Sequence, residues 1–173
     1  LIKFDLLTMQ VVGTLNLEAN SSQPQDVRLI SDGSRFLVAD MAANGLWEID
    51  GEKFTVMNFL PSDPGPHGIY PSRDASVMYV SNRMAGSISV YDVATHAIVK
   101  TWKIPGGGSP DMGGVSASGR VLWLSGRWNS EVYAISTRTG RLLARIRVGP
   151  GPHGLSVWPQ PGRYSLGHTG TLR

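Results

Sequence analysis

The stretch PHGIYPSRDASVMYVSNRMAGSISVYDVATHAIVKTWKI, residues 66–104, decides the fold of this chain. It contains four short runs rich in β-branched, aromatic and other apolar residues, separated by turns. The turns carry Gly, Asp, Ser and Thr, which tolerate left-handed backbone or cap neighbouring amides. Alternation within the runs has the period of two that a half-buried strand requires, and no part of the stretch keeps a helical period. The stretch therefore predicts four antiparallel strands joined by tight turns.

The same pattern recurs along the chain at a nearly constant interval. A proline opens the first strand of each copy, and these prolines lie 42, 44 and 42 residues apart: Pro24, Pro66, Pro110 and Pro152. A second series, at the end of the second strand, keeps the same steps: Asp40, Asn82, Gly126 and His168. Repeats of about 40 to 45 residues built from short strands are typical of β-propeller blades. The sequence thus predicts an all-β fold, a β-propeller of four-stranded antiparallel blades with about four blades' worth of strands.

We expect residues 1–173 to form a single propeller unit. Its repeats span about 1–40, 41–82, 83–126 and 127–168, and a short tail follows at 169–173. Residues 1–17 have the pattern of two outer strands of a blade, and residues 152–168 that of two inner strands. Three arrangements stay open: part of a seven- or eight-bladed ring whose missing blades belong to a longer chain, a homodimer that closes an eight-bladed ring, and one closed four-bladed ring.

The motif YVSN at 79–82, followed by a Gly/Ser turn, SISVYD and IVKTWKIPGG, resembles the 40-residue YVTN β-propeller repeat of bacterial, surface-layer-like proteins. The segment RTGRLLARIRVGPGPHGLSV at 138–157 repeats the pattern, so the resemblance covers nearly the whole chain. Gly126 and His168 stand where that family has Asn. The resemblance implies a ring of usually seven blades, an extracytoplasmic protein (periplasmic, secreted or at the cell surface), and ligand sites near the central channel without one shared activity.

Composition and missing motifs narrow the classes of function. The net charge is only +3 and no basic block is present, so nucleic-acid binding is not expected. The chain has no cysteine, which excludes disulfides, covalent haem attachment and thiolate metal sites. It has no apolar run long enough to span a membrane. The catalytic motifs GxSxG and HExxH are also missing, and no catalytic residue is assigned.

The first candidate site residues follow the repeat prolines, where strand entries are expected to face the central channel. His67 and His153 occupy equivalent positions, with Asp111 in the repeat between them. These three residues could bind a divalent metal, the one cofactor that the sequence suggests, or they could shuttle protons. The alternative interpretation is that Pro-His-Gly is a repeat turn whose imidazole caps backbone groups, because residues facing each other across a channel need not come within about 4 Å.

Two arginines and a tryptophan complete the candidate ligand-binding residues. Arg83 and Arg127 occupy equivalent loops between the second and third strands. They could clamp an anionic ligand such as a carboxylate or a sugar acid, or they could pair with a neighbouring blade. Trp128 lies beside Arg127 and is expected to be an exposed aromatic contact. The other tryptophans lie within strand runs and are expected between blades: Trp47, Trp102, Trp123 and Trp158.

Two hypotheses of function follow. The first is a non-catalytic binding or scaffold module that recognises a protein partner or a small anionic ligand at the channel mouth, because the repeats are complete while catalytic motifs are missing. The alternative is a propeller enzyme, similar to propeller lactonases or quinoprotein-like dehydrogenases, that uses a channel-mouth metal or a proton-shuttling His and Asp. A shared propeller fold does not by itself decide between them.

Overall fold

The computed structural model describes residues 1–17 and 22–158, and its regular structure there consists of β-strands. Fourteen strands are present in these ranges: β1 (Ile2–Asp5), β2 (Gln10–Thr14), β3 (Pro24–Leu29), β4 (Phe36–Asp40), β5 (Gly45–Asp50), β6 (Thr55–Pro61), β7 (Pro66–Pro71), β8 (Val77–Asn82), β9 (Ser87–Asp92), β10 (Ala97–Lys103), β11 (Pro110–Val115), β12 (Val121–Gly126), β13 (Glu131–Ser136) and β14 (Leu142–Arg147). Within the described part of the chain, no helix is long and apolar enough to cross a membrane.

The strands form three four-stranded antiparallel sheets and one two-stranded hairpin over the described ranges. Each four-stranded sheet is a meander in chain order. We call them blade 1 (β3–β6), blade 2 (β7–β10) and blade 3 (β11–β14), and β1 with β2 forms the N-terminal hairpin. This arrangement confirms the predicted all-β propeller architecture.

Each blade begins at a repeat proline, so the blades are offset by about half a unit from the repeat bounds expected at 1–40, 41–82, 83–126 and 127–168. Residues 41–82, for example, supply the last two strands of blade 1 and the first two strands of blade 2. The N-terminal hairpin corresponds to the two outer strands expected for residues 1–17. The inner strands expected over 152–168 are not seen at 152–158, which form no strand, and the rest of that segment lies outside the described residues together with His168 and the tail 169–173. The second of the two expected inner strands, with which residues 152–157 were expected to pair, falls outside the described residues.

The hydrophobic core lies between the blades, because alternation along each strand of blade 2 sends successive side chains to opposite faces. Met78 and Val80 pack against blade 1, whereas Tyr79 between them packs against blade 3. Ile69 and Tyr70 divide in the same way. The first three strands of blade 2, β7 to β9, are therefore buried on both faces, whereas the outer strand β10 is largely exposed.

The tryptophans of the strand runs do not all reach this core. Three of them are half-buried: Trp47, Trp102 and Trp123. Trp158 is 84% exposed, so the expectation of a position between blades is wrong for this residue. Because residues 152–158 form no strand, no sheet carries its side chain into a core.

Gly126, a departure from the repeat pattern, is explained by Tyr133 on the neighbouring strand β13 of blade 3. In blade 2, the amide of Asn82 donates a hydrogen bond of 2.9 Å to Ser89 Oγ. At the equivalent pair in blade 3, Tyr133 replaces the serine, and a Cβ atom at Gly126 would lie 2.5 Å from its hydroxyl oxygen. Glycine thus makes room for the tyrosine ring.

Candidate functional site

A β-bulge at the start of the first strand positions the central site residues. The pairing register shifts within residues 66–69 of β7 and within residues 110–113 of β11. A bulge leaves a residue out of the ladder and redirects its side chain, which is why bulges are frequent beside binding sites. His67 and Asp111 lie in these two bulges, and their side chains meet at the same end of adjacent blades.

A serine in the second strand of blade 2 and of blade 3 holds the segment that follows the proline of the next repeat. The hydroxyl of Ser81 donates a hydrogen bond of 2.8 Å to the carbonyl oxygen of Asp111. The hydroxyl of Ser125 makes the equivalent bond of 2.6 Å to the carbonyl oxygen of His153. Each serine also accepts a hydrogen bond from an amide at the bulge of its own blade. Neither serine was predicted from the sequence, although their equivalent positions, 44 residues apart, are a usable signal.

Backbone hydrogen bonds hold the arginine loops at the same end of the sheets. The amide of Arg83 donates to the carbonyl oxygen of Gly65 at 2.7 Å, and the amide of Arg127 donates to that of Ser109 at 3.2 Å. The amide of Trp128 donates to the hydroxyl of Ser109 at 2.8 Å. Each loop is thereby tied to the segment that enters the first strand of its own blade.

Asp111 lies at the centre of the site, and its side chain is fully buried. Its Oδ1 atom is 2.7 Å from Nη2 of Arg83 and 2.8 Å from Nδ1 of His67. Its Oδ2 atom is 3.9 Å both from Nη1 of Arg127 and from Nε2 of His153. The structure thus brings four basic candidate residues around one carboxylate.

Trp128 lies over the buried guanidinium group of Arg83. The guanidinium carbon of Arg83 lies 5.6 Å from the centre of its ring, a cation–π distance. Arg83 is 6% exposed while Trp128 is 60% exposed. The indole therefore contacts the buried Arg83 on one side and is exposed to solvent on the other, and its exposure agrees with the expected exposed aromatic contact.

The charge states of the site follow from its contacts. Burial would raise the pKa of Asp111, but His67 and Arg83 outweigh it and hold the pKa below its ordinary value. Burial lowers the pKa of His153; the Asp111 carboxylate opposes this shift and the charge of Arg127 reinforces it. At neutral pH the site therefore contains an ionised Asp111 and an uncharged His153.

Nε of Arg83 and Oδ2 of Asp111 are buried polar atoms without a hydrogen-bond partner among the described residues. Nδ1 of His67 lies 2.8 Å from Oδ1 of Asp111, within hydrogen-bond distance, and this contact lowers the pKa of Asp111. An unsatisfied buried polar atom costs about 1–3 kcal/mol. These atoms indicate that the site is built to hold a further polar group.

A divalent metal fits the ligand types of the site but not its charge. His67, Asp111 and His153 offer ligand atoms that lie within 4.8 Å of one another. Metal–ligand bonds of about 2.1 Å place ligand atoms roughly 3–4 Å apart, so the cluster would have to contract. Arg83 already occupies Oδ1, and Arg127 faces Oδ2. Because two guanidinium groups adjoin the position of a cation, the residues fit an anion better.

Comparison with protein families decides the family of this chain. A model of the YNCE-like beta-propeller family matches residues 17–104 and, in a second overlapping match, residues 73–161. The chain belongs to the YNCE-like β-propeller family. This membership supports a propeller repeat family, and the finer assignment to YVTN-type repeats stays a prediction.

Solved structures similar to this YNCE-like propeller share its fold at low sequence identity. Virginiamycin B lyase from Staphylococcus aureus has a TM-score of 0.74 and 15% identity, covering 90% of this chain and 52% of that chain. Dihydro-heme d1 dehydrogenase NirN in complex with DHE has a TM-score of 0.71 and 14% identity, covering 88% and 34%. Hydrazine synthase of Kuenenia stuttgartiensis has a TM-score of 0.65 and 19% identity, covering 83% and 42%.

These likenesses show the fold alone, since propellers of unrelated function resemble one another at such identities. The chain spans between 34% and 52% of the length of the three structures. Comparison with curated protein sequences gave no significant match. The names of the three proteins include enzymes, so they do not decide between binding and catalysis.

Proposed function

We propose that the channel-mouth site of this YNCE-like propeller binds a small anionic ligand. The observation that carries the proposal is the charge balance around Asp111. Two guanidinium groups, of Arg83 and Arg127, face this single carboxylate. Even with both imidazoles uncharged, one positive charge is left over, and it is available to an anion.

Arg127 is the arginine expected to contact the ligand, because its side chain is more exposed than that of Arg83. The Arg83 side chain is 7% exposed and is paired with Asp111 at 2.7 Å. The Arg127 side chain is 41% exposed and lies too far from Asp111, at 3.9 Å, for a direct hydrogen bond. Its planar guanidinium can therefore bind a carboxylate through two hydrogen bonds. Trp128 offers a flat apolar surface beside it for the remainder of the ligand.

The proposal is tested by isothermal titration with sodium phenylacetate, which joins a carboxylate to a ring able to stack on Trp128. We expect Arg127→Gln to weaken binding about 10- to 100-fold, since a charge-assisted hydrogen bond contributes roughly 1.5–3 kcal/mol. Arg138→Gln is the matched control, because Arg138 is an exposed arginine in the turn between the third and fourth strands, at the opposite end of the blade. Its affinity should stay within about 2-fold of the unaltered protein.

Equal affinities of the unaltered protein and Arg127→Gln would overturn the proposal. A loss of the same size in Arg138→Gln would also overturn it, because it would show that phenylacetate responds only to the net charge of the protein. A folding check by circular dichroism of both variants excludes a structural cause.

An enzyme that uses a channel-mouth metal or proton shuttle is the second candidate. It is favoured by the 2.8 Å contact between Nδ1 of His67 and Oδ1 of Asp111, and by the proximity of His153 to both side chains. Asp111 would then orient His67, as a buried carboxylate orients a histidine in a general-base pair. The two guanidinium groups weigh against the metal version of this candidate.

A further inference from the structure

The Oδ2 atom of Asp111 lies near two groups that could share one hydrogen-bonding partner with it. It is buried, ionised and without a hydrogen-bond partner among the described residues. Two potential donors, Nη1 of Arg127 and Nε2 of His153, lie 3.9 Å away. This distance exceeds the 2.7–3.2 Å of a protein hydrogen bond. It is short enough for one bridging atom to reach Oδ2 and either donor at the same time.

The bridging group must both donate and accept hydrogen bonds. It has to donate to the carboxylate oxygen of Asp111 and to accept from Arg127 or His153. A carboxylate or phosphate oxygen only accepts, and it would place a second negative charge against Oδ2. An ammonium group only donates, and it would lie beside the Arg127 guanidinium. A hydroxyl group satisfies both requirements, as water does in the absence of a ligand.

We infer that the ligand of this site is a hydroxy acid, a carboxylate that carries a hydroxyl group on the adjacent carbon atom. This inference rests on the proposed function, because Arg127 is taken to hold the carboxylate. The hydroxyl group donates a hydrogen bond to Oδ2 of Asp111 and accepts one from His153. Since Arg127 lies only 3.9 Å from Oδ2, the carboxylate and the hydroxyl must be neighbours in the ligand.

The selectivity of such a site comes from the penalty for the wrong ligand. An analogue without the hydroxyl leaves the Asp111 oxygen desolvated and unpaired, and sites built to bind a hydroxyl discriminate strongly against such analogues. We expect mandelate to bind at least 10-fold more tightly than phenylacetate. The same ratio should hold for lactate over propionate, which lack a ring to stack on Trp128. Within each pair, the two acids carry the same charge and differ by one hydroxyl group.

Isothermal titration of the sodium salts of both pairs tests this inference, with Asp111→Asn as the first variant. Removing the ionised acceptor should reduce the hydroxyl preference below about 3-fold. Because Asp111 is buried and paired with Arg83, this variant risks losing the fold. His153→Phe is the second variant: its side chain is 49% exposed, and the substitution removes the ring nitrogen that would donate to the hydroxyl. It should reduce the preference about 3-fold or more.

The outcomes separate this inference from the proposed function. If both acids of each pair bind equally and both lose affinity in Arg127→Gln, the hydroxy acid inference fails and the anion site stands. If no acid binds in an Arg127-dependent manner, both fail. A hydroxyl preference that persists unchanged in every folded variant of Asp111 and His153 also overturns the inference, because the hydroxyl would then be recognised elsewhere.

Discussion

At the scale of single residues, the chemistry of the site depends on what surrounds Asp111. The same three side chains that could ligate a metal also lie against arginines. Arg83 at 2.7 Å lowers the pKa of Asp111 and fills the coordination position at Oδ1. An anion site and a metal site differ here by the sign of the charge that the site accepts, since the ligand types alone would permit either.

Metal loading discriminates between an anion site and a metal-dependent enzyme. We expect the protein, incubated with Zn²⁺ and then desalted, to retain well below one zinc per chain by elemental analysis. The physical reason is the repulsion by Arg83 and Arg127, which adjoin the candidate ligand atoms. Retention of one zinc per chain that is lost in both His67→Gln and His153→Gln would contradict this expectation and favour the metal-dependent enzyme.

At the scale of strands, side-chain hydrogen bonds join each blade to the next and hold the site residues in place. Ser81 and Ser125 bind the backbone of Asp111 and His153 across the blade boundary. Asp26 acts similarly between blades 1 and 2, where its Oδ2 atom accepts a hydrogen bond of 2.9 Å from the amide of Ile69. These bonds determine where the bulged strands lie relative to one another.

Removal of one such serine should destabilise the protein measurably. Ser125→Ala leaves the amide of Met112 without its hydroxyl acceptor and the carbonyl of His153 without its donor. We expect the free energy of unfolding in urea to fall by about 1–3 kcal/mol. The methyl group itself should fit, because Ala39 occupies the equivalent position in blade 1. The exposed turn residue Ser118, changed to Ala, is the control and should alter stability by less than about 0.5 kcal/mol. Equal effects of the two substitutions would refute the role of Ser125 as an inter-blade anchor.

At the scale of the whole molecule, burial decreases from blade 2 towards the N-terminal hairpin. Blade 2 has a packed blade on each face. The hairpin carries apolar side chains that are largely exposed, including Ile2 at 68% and Val11 at 55%. In a repeat array, each blade is stabilised by its neighbours, so the number of neighbours sets local stability.

Hydrogen exchange should follow this gradient. We expect the amides of β7, β8 and β9 to exchange most slowly and those of β1 and β2 most rapidly, because opening blade 2 requires the loss of two packed interfaces. Exchange measured by mass spectrometry on peptides from each strand checks the order. Protection of the hairpin equal to that of blade 2 would contradict it and would show that another surface covers the hairpin in solution.

The sequence by itself determined the all-β propeller architecture, most of the strands and the faces that blade 2 buries. The repeat interval identified equivalent positions. Alternation along residues 77–82 places Met78 and Val80 on one face of the strand and Tyr79 on the other. The same equivalences placed His67, Asp111 and His153 in one series and Arg83 and Arg127 in another. Such features are local or periodic, so spacing alone reveals them.

Only the tertiary structure decided how these series meet. Spacing fixes where a strand ends but not the direction that a bulge gives to its side chain, nor the separation of side chains on adjacent blades. Arg83 therefore forms a buried ion pair with Asp111 while Arg127 is exposed, although the two arginines occupy equivalent positions in the sequence repeats. The anchoring by Ser81 and Ser125 and the unpartnered Oδ2 atom of Asp111 likewise arise from contacts between blades, because these contacts depend on distances in space that the repeat interval does not contain.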